Sequence, residues 1–178
     1  TDGFGTILPA VLEYKRNGGV ITEVYMVGTN REHSLAAKAK ANELMKQTGI
    51  SVKLNVYPDI IEKDIKAYKD VLNTIEGRLA CAIVSVPDHL HFQITRDCLE
   101  SGFHTLVVKP LTPTVKEAKE LIDLAEKMNL YGAVEFHKRW DRQNLMLRDI
   151  FQSHRLGDPL YTWTEYSQRK SIPTEIFR

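Results

Sequence analysis

An α/β fold built on a doubly wound parallel sheet is what this sequence predicts, and three observations predict it. Short β-branched runs alternate with amphipathic stretches of helical length through most of the 178 residues, a pattern that calls for parallel strands joined by crossover helices. Two of the runs, within Arg78 to Val86 and Phe103 to Val108, are dry and unbroken, as strands buried on both faces are. The strand-like runs end on turn residues and polar groups, at Gly28 to Arg31, Pro87 to His89, Lys109-Pro110 and His137 to Arg139. In an open parallel sheet those carboxyl ends form the ligand-binding edge.

The chain opens on Gly3-Phe4-Gly5, and Leu8, Val11 and Leu12 then recur at helical spacing over Thr6 to Tyr14. A glycine turn feeding a helix presents unpaired N–H groups and the positive end of the macrodipole, which suits a pyrophosphate. The three-glycine dinucleotide spacing is incomplete. Its better registration takes Gly5 as the last glycine, with Asp2 at the middle position and the first before Thr1; an ordinary glycine loop is the alternative. Val20 to Val27 reads as a strand and runs into Gly28-Thr29-Asn30-Arg31. At this strand tip an acid grips an adenine-ribose 2′-hydroxyl, whereas an arginine accommodates a 2′-phosphate. The tip has no acid before Glu32, so Thr29, Asn30 and Arg31 lean towards NADP over NAD.

Glu32 to Thr48 is an amphipathic helix closed by Gly49, and Ser51 to Tyr57 alternates as a strand that Pro58 ends. The charged stretch Asp59 to Glu76 reads as a helix on a solvated outer face. After the strand Arg78 to Val86, the turn Pro87 to Phe92 leads into a helix over Gln93 to Glu100, with Asp88 placed as N-cap. His89 and His91 are two apart, share no helix face and have no nearby ligand cluster, so no metal site is expected; His91 packs or hydrogen-bonds locally. In Phe103 to Thr112 the strand must stop at Lys109, because Pro110 donates no hydrogen bond and holds its predecessor extended. Lys109 therefore stands at the binding edge, or simply reaches water from a strand end.

Thr114 and Glu117 form a capping box, and Val115, Ala118, Leu121, Ile122 and Ala125 form the apolar stripe of a crossover helix ending near Met128. Tyr131 to Phe136 is the next strand, with His137-Lys138-Arg139-Trp140-Asp141 at its carboxyl end. Asn144 to Gln152 is helical, Leu156 to Pro159 is a turn, and Leu160 to Tyr166 alternates like the first strand of a new, one-sided sheet.

Lysine and arginine total 24 against 23 acids, a formal charge of +1 with the signs interleaved. That excludes the footprint of a nucleic-acid binder. The apolar runs are too short to span a bilayer and the first residues are no secretory signal, so a soluble, cytoplasmic chain is expected, with no membrane partner. Cys81 and Cys98 read as reduced core thiols. Both ends read as cut, with the first strand expected before Thr1.

The ordered set Ser85-Val86-Pro87-Asp88-His89-Leu90-His91, Val108-Lys109-Pro110, Phe136-His137-Lys138-Arg139-Trp140-Asp141 and Leu156-Gly157-Asp158-Pro159-Leu160-Tyr161 resembles the Gfo/Idh/MocA family of NAD(P)-dependent oxidoreductases. The resemblance implies a Rossmann-like nucleotide-binding domain over residues 1–156. Residues 157–178 would then start an α/β domain with a large open sheet for substrate and for homodimer or homotetramer contacts. It implies hydride transfer between nicotinamide and a secondary alcohol of a sugar or polyol. By position, Gly3, Phe4 and Gly5 would meet the pyrophosphate, and Thr29, Asn30 and Arg31 the adenine ribose. Ser85, Val86, Pro87, Asp88 and His91 would lie near the nicotinamide with His137 and Arg139, and Lys109 would be both cofactor contact and catalytic residue. Val108 stands where the family has glutamate, Asp88 where it has asparagine and Asp2 where it has glycine. The lost glutamate leaves a second reading open: a non-catalytic sensor of NAD(P) or sugar on the same fold.

Overall fold

A computed structural model describes residues 5–75 and 79–167, in two compact units, Thr1–Glu135 and Phe136–Arg178. Gly3 and Phe4, Glu76 to Arg78, and the run from Gln168 onward lie outside the described residues.

The first unit runs α1 (Ile7–Arg16), β1 (Glu23–Val27), α2 (Arg31–Thr48), β2 (Lys53–Tyr57), α3 (Ala67–Ile75), β3 (Cys81–Val84), α4 (His91–Glu100), β4 (His104–Val108), α5 (Val115–Lys127) and β5 (Gly132–Glu135). Among the described residues every pairing between these strands is parallel. β1 pairs β2 with Val27 opposite Tyr57; β4 lies between β3 and β5, with Val84 opposite Val107 and Val108 opposite Glu135. Within the described residues these pairings make a two-stranded and a three-stranded sheet.

Helices cover both faces of β1, as alternation along a strand requires. Val24 packs with Leu12 of α1 and Leu44 of α2. Tyr25, its neighbour on the other face, packs with Tyr57 against the cluster of Val71, Leu72, Ile75, Val84, Cys98, Phe103 and Val107. α3 thereby ties both sheets to one core, each buried side chain contributing about 1.5–3 kcal/mol.

The local stop signals operate as read. Gly49 ends α2 in the left-handed region at φ 69°, and the Thr114–Glu117 capping box opens α5. Other expectations are corrected. Asp59 to Lys66 is not helical; α3 begins only at Ala67, and its Ala67, Val71, Leu72 and Ile75 are buried rather than solvated. β3 and β4 are buried on one face each. Cys81 and Ile83 stay exposed, Ile83 by 39%, while Val84 faces α3 and α4. Along β4, Thr105 and Val107 are buried while His104, Leu106 and Val108 are half-buried. Of the two thiols only Cys98 is in the core, and burial pushes its pKa up to about 12. On α5 Leu121 is buried, but Val115 and Ile122 are 74% and 50% exposed, because a single flanking helix, α4, covers one narrow stripe. No helix among the described residues is long and apolar enough to cross a membrane.

Asp97 on α4 fastens α3 in place. Its carboxylate accepts from the Tyr68 hydroxyl at 2.6 Å and from Gln93 Nε2 at 2.9 Å, and Lys69 Nζ lies 3.2 Å away. Burial alone would raise the Asp97 pKa, but the three donors outweigh it and the net shift is downward. Burial and then the bond to Asp97 hold the Tyr68 phenol well above its usual range. Asp97→Ala is expected to lower stability by about 2–3 kcal/mol, read as a lower urea midpoint, since it strands the Tyr68 hydroxyl and removes charge-assisted bonds. A folded-state carboxylate held below its ordinary value contributes stability above that value and loses it as pH falls through the folded value. Asp97→Asn should therefore flatten the acid limb of stability against pH; an unaltered limb would exclude Asp97 as its source.

The second unit carries a 3-10 turn at His137–Arg139 and α6 (Arg142–Gln152). Leu160 to Tyr166 forms no strand there, and Leu160 is 94% exposed. An alternating run becomes a strand only beside a partner backbone, and the described part of this unit offers none.

Candidate functional site

Three strand ends of the first unit carry the residues singled out by the sequence. Behind β1, the backbone N–H of Gly28 and the hydroxyl of Ser34 both donate to the Tyr57 carbonyl at 2.8 Å. A Cβ on Gly28 would sit 3.2 Å from Ser34 Oγ, so the close approach favours glycine. Thr29 and Arg31 follow, both exposed. The segment expected to be helical instead runs alongside them: Arg31 N–H donates to Glu62 at 2.9 Å, Asp64 N–H to Thr29 at 3.0 Å, and Lys63 bridges Asn30 in antiparallel sense. Arg31 Nε donates to the Asp59 carbonyl at 2.7 Å, which aims the guanidinium. Asn30 has a local role besides the one expected of it: its side-chain oxygen accepts from His33 N–H at 3.1 Å and caps α2. Its place just before an amphipathic helix was the signal for that role.

Behind β3, Ser85, Pro87 and Asp88 are exposed and Val86 is half-buried. Asp88 is not the cap of α4. A 3-10 turn over Asp88–Leu90 precedes the helix, Leu90 occupies the cap position without a side-chain bond, and Asp88 lies a turn too early. His91 is the first residue of α4 and is 0% exposed. Its Nδ1 lies 2.6 Å from the Pro110 carbonyl and its Nε2 2.9 Å from the Val86 carbonyl. The expected local bonding is thus half right, since Pro110 is 19 residues away. With both nitrogens engaged and no exposed surface, the ring presents nothing to a ligand.

Behind β4 stands Lys109, exposed, with a cis peptide to Pro110. Parallel pairing sets Val84 opposite Val107, so the Ser85 turn and the Lys109 turn leave the sheet side by side. Beside Val108, which replaces the family's acid, β5 places the half-buried Glu135 in register. A carboxylate is therefore present at this level of the sheet, on the neighbouring strand; pairing register is invisible in a linear motif.

Before α1, Gly5 takes φ +66°, a left-handed conformation glycine adopts without strain. Thr6, at the cap position, makes no side-chain bond to the helix N–H groups. In the second unit, His137 and Arg139 are exposed, and the Arg139 guanidinium lies 5.2 Å from the Phe136 ring centre. Lys138 Nζ pairs with Asp141 at 2.9 Å, and that bond raises the lysine above its ordinary value. Lys138, Arg139, Trp140, Asn144 and Arg148 line an open cavity of about 450 Å³.

A family model described as an oxidoreductase family with an NAD-binding Rossmann fold matches residues 12–136. The chain is 31% identical over 93 residues to D-glucoside 3-dehydrogenase of Escherichia coli, covering 51% of this chain and 26% of that protein. It is 28% identical over 85 residues to scyllo-inositol 2-dehydrogenase (NADP(+)) IolW of Bacillus subtilis, covering 48% and 24%. The solved structure of levoglucosan dehydrogenase in complex with NADH and levoglucosan superposes with a TM-score of 0.60 at 19% identity, over 87% of this chain and 39% of that one; this likeness shows the fold. The chain spans a third or less of the length of such curated relatives, between 20% and 32%. The match spans β1 to β5 and the helices between them, and the chain belongs to the Gfo/Idh/MocA family of oxidoreductases.

Proposed function

We propose that this protein is an NAD(P)-dependent dehydrogenase that moves a hydride between nicotinamide and a carbon bearing a secondary hydroxyl on a sugar or polyol. One observation carries the reading: Lys109 is an exposed cation at the end of β4, alongside the Ser85–Asp88 turn. The names of the glucoside and inositol dehydrogenases to which the chain is similar support the substrate class.

The residues fit a dinucleotide. Gly5 in the left-handed region and the uncapped start of α1 suit the pyrophosphate, with Gly3 and Phe4 preceding them in sequence. Thr29 and the aimed Arg31 suit the adenine ribose and, through Arg31, a 2′-phosphate, which inclines the choice to NADP. Ser85, Val86, Pro87 and Asp88 would border the nicotinamide; His137 and Arg139 are proposed as cofactor contacts by their place in the sequence. When bound, the dinucleotide supplies the hydride chemistry. Lys109 hydrogen-bonds the substrate oxygen and exchanges its proton: in the oxidative direction the C–H electron pair leaves as hydride while the neutral amine form of Lys109 accepts the O–H proton and becomes the ammonium, and in the reductive direction that ammonium returns the proton to the oxygen. Assembly as a homodimer or homotetramer in the cytoplasm completes the proposal.

The test is absorbance at the reduced-nicotinamide band with NAD and NADP against a panel of sugars and polyols, with dinucleotide binding measured in the same samples. Reduction of either cofactor by a panel member is expected. Binding without turnover on any of them would overturn the enzyme reading and favour the sensor that Val108 leaves open.

A further inference from the structure

His91 joins two turns that are far apart in sequence. One ring nitrogen reaches the Val86 carbonyl at the end of β3, and the other reaches the Pro110 carbonyl immediately after Lys109. Carbonyl oxygens only accept, so each contact needs a proton on its nitrogen; a doubly protonated ring satisfies both and a neutral ring one. Cys98, Leu99 and Thr95, the other buried residues of α4, anchor the helix that carries the ring. A fully buried donor on a packed helix has no alternative partner in water, so its carbonyl partners are held in place.

We infer that His91 is a positioning residue, its buried ring bracing the Val86 and Pro110 carbonyls so that the Ser85–Asp88 turn and Lys109 are set as one rigid edge. The inference rests on the reading of Lys109 as the proton-carrying group and assigns His91 no contact with substrate or cofactor. A brace of this kind acts on geometry, and a misplacement of about 1 Å at a reacting group can cost about 100-fold in rate.

The experiment uses the full chain. In the wild type, a His91 ring N–H should exchange with solvent at least about tenfold more slowly than that of the exposed His89, because the ring is buried and hydrogen-bonded. His91→Leu should move the amide resonances of Val86 and of Lys109 to Leu111 while leaving those of β1 and β2 in place. It should lower kcat by about 10- to 100-fold with KM for the dinucleotide within about threefold, and His91→Gln, which keeps one donor, should recover part of the loss. Fast exchange of the His91 ring protons, or unmoved Lys109–Leu111 resonances in a folded His91→Leu variant, would overturn the brace. If His91→Leu does not fold, the wild-type exchange rate and the His91→Gln split decide. A Lys109→Met variant with full turnover beside a slowly exchanging His91 ring would instead sink the lysine's role, so the two failures are distinguishable.

Discussion

Lys109→Met is expected to lower turnover by about 10²- to 10⁴-fold and to leave dinucleotide affinity within about threefold, the range for removal of a general acid–base group. Methionine keeps the length and apolar stem of the lysine and removes only the ammonium, so the strand end and the Pro110 turn are undisturbed. The residue projects from the end of β4, where Val108 is still paired with β5 and the chain then turns through Pro110. An exposed lysine merely reaching water would give a variant with normal turnover, and that result would remove Lys109 from the mechanism. The neighbouring strand bears on the same experiment. Val108 leaves no acid in the turn itself, yet Glu135 stands in register beside it on β5.

Arg31→Ala is expected to weaken NADP binding by about 10- to 100-fold while NAD affinity stays within about threefold, the worth of one or two charge-assisted hydrogen bonds to a phosphate. Titration of both dinucleotides by intrinsic fluorescence or calorimetry measures it. The guanidinium enters with its direction set: Nε is held by the Asp59 carbonyl and the backbone N–H by Glu62, so little side-chain freedom remains to be lost on binding a 2′-phosphate. Equal losses for NADP and NAD would show that Arg31 supports the loop without reading the phosphate. Equal affinity of the wild type for the two would dispose of the NADP preference altogether.

Much of the edge was legible because strand ends are written locally. Proline after Lys109 stops a strand wherever it occurs, glycine at position 49 ends a helix, and threonine three residues before glutamate opens one. The Asp59 to Lys66 stretch shows where such reasoning fails. Its charges matched an exposed helix, but backbone bonds to Thr29 and Arg31, more than thirty residues back in the chain, hold it as a non-helical segment beside the end of β1. Asp88 fails for a smaller reason, since one 3-10 turn shifts the helix start beyond its reach.

By itself the sequence determined the alternation of strands and helices, their stop signals and the gathering of polar residues at strand ends, since each depends on the residue's own backbone preference or on neighbours within about one helical turn. The tertiary structure alone decided that β3 and β4 are buried on one face, that His91 bonds Pro110, that Glu135 stands beside Val108, and that Asp59 aims Arg31. Each of these depends on which distant segments pack or pair together, and a linear pattern carries the period of a face but not the identity of what covers it.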